Sequence, residues 1–154
     1  MDREADVVVI GGGITGTAIL SELARYDLRC VLVEREPDIA SGTTKANSAV
    51  LHAGFDAPMG SMKARMNVAG NRLYHELQQE LGLDIQWTGS LVAATDAAEE
   101  AVLRELLARG QANGVPGLEL WDAVQVHAQE PNLSPKVRDA RWAPTAGLCW
   151  PFGL

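Results

Sequence analysis

The sequence predicts an α/β fold, and three observations near its start carry that prediction. The run Val7–Ile10 is continuously β-branched, as in a strand buried on both faces of a parallel sheet. Glycines follow at once, and Thr17–Tyr26 then shows apolar residues at helical spacing. A second apolar run, Arg29–Glu34, completes a strand, a helix and a strand within about 30 residues, the length of a right-handed crossover unit.

The rest of the chain predicts one long loop and then further helices and strands. The segment Glu36–Pro58 is rich in Gly, Ser, Thr, Asn and Pro, and we expect it to be irregular, with one helical turn after Ser41. A loop of this length is uncommon in a compact domain unless it is functional. Cap and stop residues predict helices over Met62–Leu81, over Ala97–Asn113 and briefly after Asp122. Alternation and turn residues predict strands at Leu91–Ala94 and Leu118–Trp121 and a hairpin within Asp139–Trp150, turning at Ala146-Gly147.

Composition excludes several classes of partner. The 154 residues carry 20 acidic and 13 basic side chains, a net charge of −7, without Lys/Arg blocks. This balance argues against nucleic acids and anionic membranes as partners. We see no signal peptide and no apolar run long enough for a membrane span. Cys30 and Cys149 match no metal or disulfide pattern, so we expect a reduced, cytoplasmic protein.

The glycine-rich turn after the first strand predicts a dinucleotide site. Gly11, Gly13 and Gly16 satisfy the GxGxxG pattern, which permits a tight turn, a close approach of the pyrophosphate and close packing of helix on strand. The helix that begins there offers N–H groups to the phosphates. Glu34 closes the second strand about 20 residues later, where it can accept the ribose hydroxyls and disfavours NADP. This pattern leaves the choice between FAD and NAD open.

These elements predict an incomplete Rossmann-like FAD/NAD(P)-binding fold with the start of a mixed α+β substrate domain. Residues 1–85 would hold the crossover unit, the loop and the following helix, and residues 86–154 a partial substrate domain. One crossover unit supplies only two parallel strands, too few for a stable open sheet. The apolar end, Pro151–Leu154, also resembles the entry into another element. We therefore expect a chain cut short at its C-terminus.

The loop residues carry a resemblance to a known family. The glycine turn, Glu34-Arg35 and the string from Thr43 to Asp56 resemble the D-amino-acid-oxidase superfamily of flavoenzymes, and within it the glycerol-3-phosphate oxidase/dehydrogenase branch. L-2-hydroxyglutarate oxidases share a related NS-x-V-x-H-x-G string. Members of the superfamily are more than twice as long as this chain.

The resemblance implies a role for each matching residue. Lys45 and Ala46 occupy the region where relatives with covalent flavin carry a histidine, so it implies non-covalent FAD. His52 would lie over the isoalloxazine as the general base, which suits an imidazole with an ordinary pKa of about 6.5. The cofactor would be held by Gly11, Gly13, Ile14, Thr15 and Gly16 at the pyrophosphate, Glu34 at the ribose, Arg35 by the adenine, and Thr43, Thr44, Asn47 and Ser48 towards the flavin.

Three functional hypotheses follow. The first is the N-terminal part of an FAD-dependent oxidoreductase that acts on glycerol 3-phosphate, with an L-2-hydroxy acid as the alternative substrate, and that passes electrons to oxygen, a quinone or a partner protein. The second is a nucleotide-binding module that uses NAD. The third is a truncated, inactive chain or one completed by a second polypeptide. Asp56 is predicted to be structural rather than catalytic, and His75 and His127 to lie on helix surfaces.

Overall fold

The computed structural model describes residues 4–150, so the predicted entry into a further element at Pro151–Leu154 lies outside the described residues. The chain forms two compact units. The first covers the described residues up to Ser48, and the second covers Ala49–Trp150. Within residues 4–150, no helix combines the length and the apolar character that crossing a membrane requires.

The first unit is the predicted crossover unit. Strand β1 (Val7–Ile10), helix α1 (Ile14–Leu23) and strand β2 (Cys30–Val33) follow one another, and the two strands pair in parallel from Val7↔Cys30 to Ile10↔Val33. Helix α1 begins and ends three residues earlier than predicted. The reason lies at its start, where Gly13 is an extended N-cap residue and the helix begins directly after it.

One face of this two-stranded sheet carries apolar side chains into solvent. Val8, Ile10, Val31 and Val33 alternate along the strands, and their exposed fractions run from 43% for Val31 to 86% for Ile10. Parallel sheets are normally covered on both faces. Within residues 4–150, this face of the sheet is left uncovered.

The second unit contains the remaining helices and strands. Its helices are α2 (Met62–Leu81), α3 (Ala97–Ala112) and α4 (Ala123–Gln129), and Ser61, Asp96 and Asp122 accept first-turn N–H groups as N-caps. Helix α2 ends at Gly82, which adopts the left-handed conformation. The strands are β3 (Val50–Leu51), β4 (Ile85–Gln86), β5 (Ser90–Ala94), β6 (Glu119–Asp122), β7 (Asp139–Ala143) and β8 (Gly147–Cys149).

The predicted hairpin at the end of the chain is wrong. Strands β7 and β8 are consecutive, but they lie in different three-stranded sheets, ordered β5-β7-β6 and β3-β8-β4. Each strand pairs antiparallel with partners far away in sequence, for example Leu51 with Gly147. The turn at Ala146-Gly147 therefore carries the chain from one sheet to the other.

A fully buried arginine lies in the sheet β5-β7-β6. The Arg141 guanidinium is 3.3 Å from the centre of the Phe55 ring, and its three nitrogens have no hydrogen-bond partner within residues 4–150. Removal from water lowers the pKa of Arg141 to about 10, although the charge of Asp56 opposes the shift. The side chain is thus still charged at neutral pH, and stacking on one aromatic ring is the close contact that compensates its burial.

We expect the substitution Arg141→Met to stabilise the fold. Because burial disfavours the charged form, its energetic penalty is fully present below pH 10 and is relieved only as the pH rises towards the unfolded value. Replacing buried charges by apolar side chains of similar volume is often neutral or stabilises by about 1–4 kcal/mol. Thermal unfolding at neutral pH measures this, with Arg65→Met, which removes an exposed arginine on α2, as the control. A fall in the Tm of the Arg141→Met variant alone would show that the guanidinium contributes net stability.

Candidate functional site: a cofactor cavity at the glycine turn

An open cavity of about 770 Å³ lies at the glycine turn, within the first unit. Backbone and short polar side chains form its wall around the start of α1, and one edge of β1 forms the apolar part. Of the residues predicted to bind a cofactor, the cavity brings together Gly11, Gly13, Ile14, Thr15, Gly16, Thr43, Thr44 and Asn47.

The start of α1 presents backbone donors to this cavity. The N–H groups of the first turn lack intrahelical partners, as at every helix start, and Gly13 has no side chain with which to cap them. One of them, the Ile14 N–H, donates to Thr44 Oγ1 at 3.1 Å. The others, at Thr15 and Gly16, lie at the positive end of the helix dipole, where an anionic phosphate binds favourably.

Glu34 holds the glycine turn in place. Its Oε2 accepts the Gly12 N–H at 2.6 Å, and its Oε1 accepts the N–H groups of Arg35 at 2.7 Å and Glu36 at 2.9 Å. These bonds, led by those from Glu36 and Gly12, lower the pKa of the Glu34 carboxyl below its ordinary value. The carboxylate predicted to accept a ribose thus also fixes the backbone on which the phosphates would rest.

We expect the Gly12 amide resonance to titrate with the Glu34 carboxyl, at a midpoint below the ordinary glutamate pKa. A carboxyl with a lowered pKa stabilises the fold above its unfolded pKa, and the contribution is lost as the pH falls through the lowered value. A ¹H–¹⁵N NMR titration of the chain measures the midpoint. The Glu34→Gln variant should abolish the titration, whereas Glu36→Gln, which removes an exposed carboxylate paired with Arg35, should preserve it. A Gly12 resonance that titrates unchanged in Glu34→Gln would contradict this assignment.

Four predicted site residues lie outside the lining of the cavity: Glu34, which holds the turn through the bonds given above, and Arg35, Ser48 and His52. Arg35 is exposed and its side chain pairs with Glu36 at 3.0 Å. Ser48 is exposed at the end of the first unit. His52, the predicted base, belongs to the second unit, where it follows β3 with an exposed side chain.

Charged side chains surround the segment that follows His52. Lys63 Nζ lies 3.2 Å from Asp56 Oδ2, so this lysine forms an ion pair at the start of α2. Partial burial alone would raise the pKa of Asp56, but the hydrogen bond and charge of Lys63 and the charge of His52 hold it below the ordinary value. A structural role for Asp56, as the sequence predicts, agrees with this pairing.

Sequence reasoning missed two asparagines that bind the same segment. Asn71 Nδ2 donates to the His52 carbonyl at 3.2 Å, and Asn113 Nδ2 donates to the carbonyls of Gly54 at 3.0 Å and Ala57 at 2.9 Å. Asn71 shares the buried face of α2 with Ala64 and Val68. Its spacing from these two residues is the signal that could have marked it as an inward-facing amide.

A glycine turn of this form at the start of a parallel crossover unit defines a dinucleotide-binding protein. Comparison with protein families extends this, because the model of the DAO family, described as FAD dependent oxidoreductase, matches residues 6–153. The chain therefore belongs to the FAD dependent oxidoreductase family, whose cofactor is FAD.

Individual relatives agree with the family. The glycerol 3-phosphate dehydrogenase of Caloramator mitchellensis is 41% identical over 147 residues, covering 96% of this chain and 31% of the relative. The mitochondrial L-2-hydroxyglutarate dehydrogenase of Caenorhabditis briggsae is 34% identical over 145 residues, covering 93% of this chain and 33% of the relative. This chain thus spans about a third of the length of these curated relatives.

Among solved structures, the fold matches a flavoprotein of the same family. The dithionite-reduced L-alpha-glycerophosphate oxidase of Mycoplasma pneumoniae, with FAD bound, superposes with a TM-score of 0.92 at 28% identity. The match covers 97% of this chain and 40% of the oxidase. An L-proline dehydrogenase of P. horikoshii matches with a TM-score of 0.83 at 26% identity, over 99% of this chain and 40% of that structure.

The residues present at the glycine turn fit FAD. A Cβ at Gly13 would stand 3.3 Å from Thr44 Oγ1, inside the cavity wall, so glycine keeps open the space that a pyrophosphate would use. The wall offers N–H and hydroxyl donors but no carboxylate, which is the donor set that a phosphate requires. No group of three or more metal-ligating side chains occurs within residues 4–150.

Proposed function

We propose that this chain is the FAD-binding part of an oxidoreductase that oxidises the secondary alcohol of glycerol 3-phosphate. The observation that carries the proposal is the cavity at the glycine turn, where a helix start with free N–H groups meets hydroxyl and amide side chains. The substrate class is supported by the glycerol 3-phosphate dehydrogenase that is 41% identical. We call the polypeptide in which this chain is continued to the length of its relatives the intact enzyme.

Each part of the site has a role in this proposal. The backbone of Gly13, Thr15 and Gly16 would bind the pyrophosphate. Glu34 would accept hydrogen bonds from the ribose hydroxyls in addition to the one it accepts from the turn. The remaining residues keep the roles that the resemblance gives them. Arg35 would lie by the adenine, and the residues towards the flavin would be Thr43, Thr44, Asn47 and Ser48. Attachment would be non-covalent, since Lys45 and Ala46 stand where relatives with covalent flavin carry a histidine.

Proton removal is the chemical step that this chain's own side chains would supply. FAD, when bound, provides the hydride acceptor of the reaction. The His52 imidazole would take the proton of the substrate hydroxyl onto a ring nitrogen, and its exposed side chain is free to meet a substrate. The charge of His52 contributes to holding the pKa of Asp56 below its ordinary value, so this carboxylate belongs to the electrostatic surroundings of the histidine.

A second substrate class has its own support. Similarity to the L-2-hydroxyglutarate dehydrogenase that is 34% identical makes an L-2-hydroxy acid the alternative substrate. Its oxidation is also the loss of a proton and a hydride from a secondary alcohol. Electrons would pass on to oxygen, a quinone or a partner protein. A cytoplasmic location is proposed on the unpaired state of Cys30 and Cys149. The division at residues 85 and 86 into cofactor and substrate parts stays a prediction.

The test is optical. Purified chain is mixed with FAD, excess cofactor is removed, and the visible flavin bands are recorded, with NAD as the competing ligand. The intact enzyme is then mixed anaerobically with glycerol 3-phosphate or with L-2-hydroxyglutarate, and bleaching of the flavin bands is followed. We expect bleaching by glycerol 3-phosphate; bleaching only by the hydroxy acid selects the alternative. An intact enzyme that retains NAD but no flavin, or a flavin that neither substrate bleaches, would contradict the proposal.

A further inference from the structure

The segment from His52 to Ala57 has an unusual source of hydrogen bonds. It is irregular, yet Ala53 and Ala57 within it are 1% and 0% exposed. Buried backbone carbonyls require donors, and outside a helix or sheet ladder these must come from elsewhere. Here, side chains on α2, on α3 and at the C-cap of α3 supply them: Asn71 for His52, Arg109 for Asp56, and Asn113 for Gly54 and Ala57.

Asn71 is the member of this set that reaches the candidate base. It is itself 7% exposed, and its Nδ2 donates both to the His52 carbonyl at 3.2 Å and to the Thr145 carbonyl at 2.7 Å. An asparagine inside a helix has poor helix propensity, and a buried amide must be fully bonded. Both N–H groups of this amide are accounted for by carbonyls that belong to other elements.

The two carbonyls lie at the end of one strand pair. Leu51, the last residue of β3, pairs with Gly147, the first residue of β8. His52 follows Leu51, and Thr145 precedes Gly147 by two residues, so the Asn71 amide continues the β3–β8 pairing where the backbone ladder stops. Gly54 also lies against α2, because a Cβ there would stand 2.8 Å from Val68 Cγ2. The backbone of His52 is therefore fixed by α2 and β8 together.

We propose that Asn71 is a positioning residue for His52, and that its side-chain amide sets the direction in which the imidazole leaves the backbone. This inference rests on the proposed role of His52 as the base. Asn71 takes no part in proton transfer itself. A general base must meet its proton at hydrogen-bond distance, so a small rotation of the His52 backbone is enough to slow the step.

Asn113 provides a matched control. It is also a side-chain amide on or next to a helix and also donates to two carbonyls, but its acceptors are Gly54 and Ala57 rather than His52. The variants Asn71→Ala and Asn113→Ala each remove two such hydrogen bonds. A purely structural role predicts equal effects of the two variants on flavin reduction.

The experiment is a double-mutant cycle in the intact enzyme, with single-turnover flavin reduction by glycerol 3-phosphate as the readout. We expect Asn71→Ala to slow reduction at saturating substrate by about tenfold to hundredfold, with unchanged FAD content and little change in KM. Asn113→Ala should change the rate by less than about threefold, within the ordinary range of indirect effects. In a His52→Ala background, Asn71→Ala should have no further effect, because the residue it positions is gone.

The outcomes separate this inference from the proposed function. Equal effects of Asn71→Ala and Asn113→Ala, or a full further loss in the His52→Ala background, would overturn the positioning role alone. A His52→Ala enzyme with the wild-type rate would instead overturn the base assignment. If Asn71→Ala does not fold, Asn71→Ser, which keeps one donor, replaces it, and it must show an intermediate rate at unchanged KM. A rate equal to wild type with the serine variant would count against the inference.

Discussion

The Gly16→Ala variant is expected to lose FAD. A Cβ at this position would overlap the carbonyl oxygen of Gly11 and stand 3.1 Å from the Gly11 carbonyl carbon, and both atoms belong to the turn itself. The clash is with backbone, so relief requires α1 to move away from β1 or the turn to open. We expect a penalty of roughly 3 kcal/mol, which corresponds to about a hundredfold loss of FAD affinity. Flavin retained by the intact enzyme after gel filtration measures the effect.

Gly42→Ala is the matched control for this substitution. Gly42 lies in the loop of the same unit, where an added Cβ would meet no atom within 4 Å, and it needs no left-handed backbone. This variant should keep its flavin. Loss of FAD in both variants would mean that the loop is sensitive to any added methyl group, and equal retention would mean that Gly16 is not needed for close packing of α1.

The His52→Ala variant is expected to slow flavin reduction by about 10²–10⁴-fold, the range typical of a removed general base. FAD binding should be unchanged, because the cavity at the glycine turn is built by residues of the first unit. Stopped-flow reduction of the intact enzyme by glycerol 3-phosphate measures the rate.

His75→Ala is the corresponding control. His75 is also exposed and also lies in the second unit, where its ring stacks on Trp87 at 3.8 Å. Its removal should leave the rate within about twofold of wild type, as is usual for surface substitutions away from a reaction centre. A wild-type rate in His52→Ala, or an equal loss in His75→Ala, would remove the reason to regard His52 as the base.

The sequence correctly predicted the elements whose positions are set by neighbouring residues in the chain. The crossover unit follows from the β-branched run at Val7–Ile10 and the glycines after it, and parallel pairing with β2 confirms it. Helix α2 has its predicted bounds because Ser61 caps its start and Gly82 adopts a left-handed conformation at its end. The family and its cofactor were also predictable, since the motifs that identify them are contiguous.

Long-range pairing explains the errors. Val50–Leu51 lies in a segment predicted to be irregular, and it becomes a strand only through pairing with Gly147-Leu148. Two residues carry too little pattern to predict a strand. The hairpin prediction failed for the same reason, because turn residues at Ala146-Gly147 do not reveal that the flanking strands join different sheets.

Buried polar side chains were the second feature of the structure that the sequence did not predict. Asn71 and Arg141 are 7% and 0% exposed, whereas composition rules place both residue types at the surface. The helical spacing of Asn71 from Ala64 and Val68 indicates an inward-facing amide, but nothing local identifies the two distant carbonyls that it bonds. The hydrogen bonds from Asn71 to the carbonyls of His52 and Thr145 could therefore not be predicted from the sequence.

The hydrogen bond between Asn71 and Thr145 also has a consequence for biosynthesis. It joins residues that are 74 positions apart in the sequence. Strand β3 likewise pairs with β8, which lies near the end of the described chain. At a translation rate of about 5–20 residues per second, the backbone around His52 stays unsupported for some seconds after the ribosome has made it. The glycine turn, by contrast, needs only β2 and the loop after it. The nucleotide-binding turn can thus be assembled on the nascent chain well before the candidate base acquires its final position.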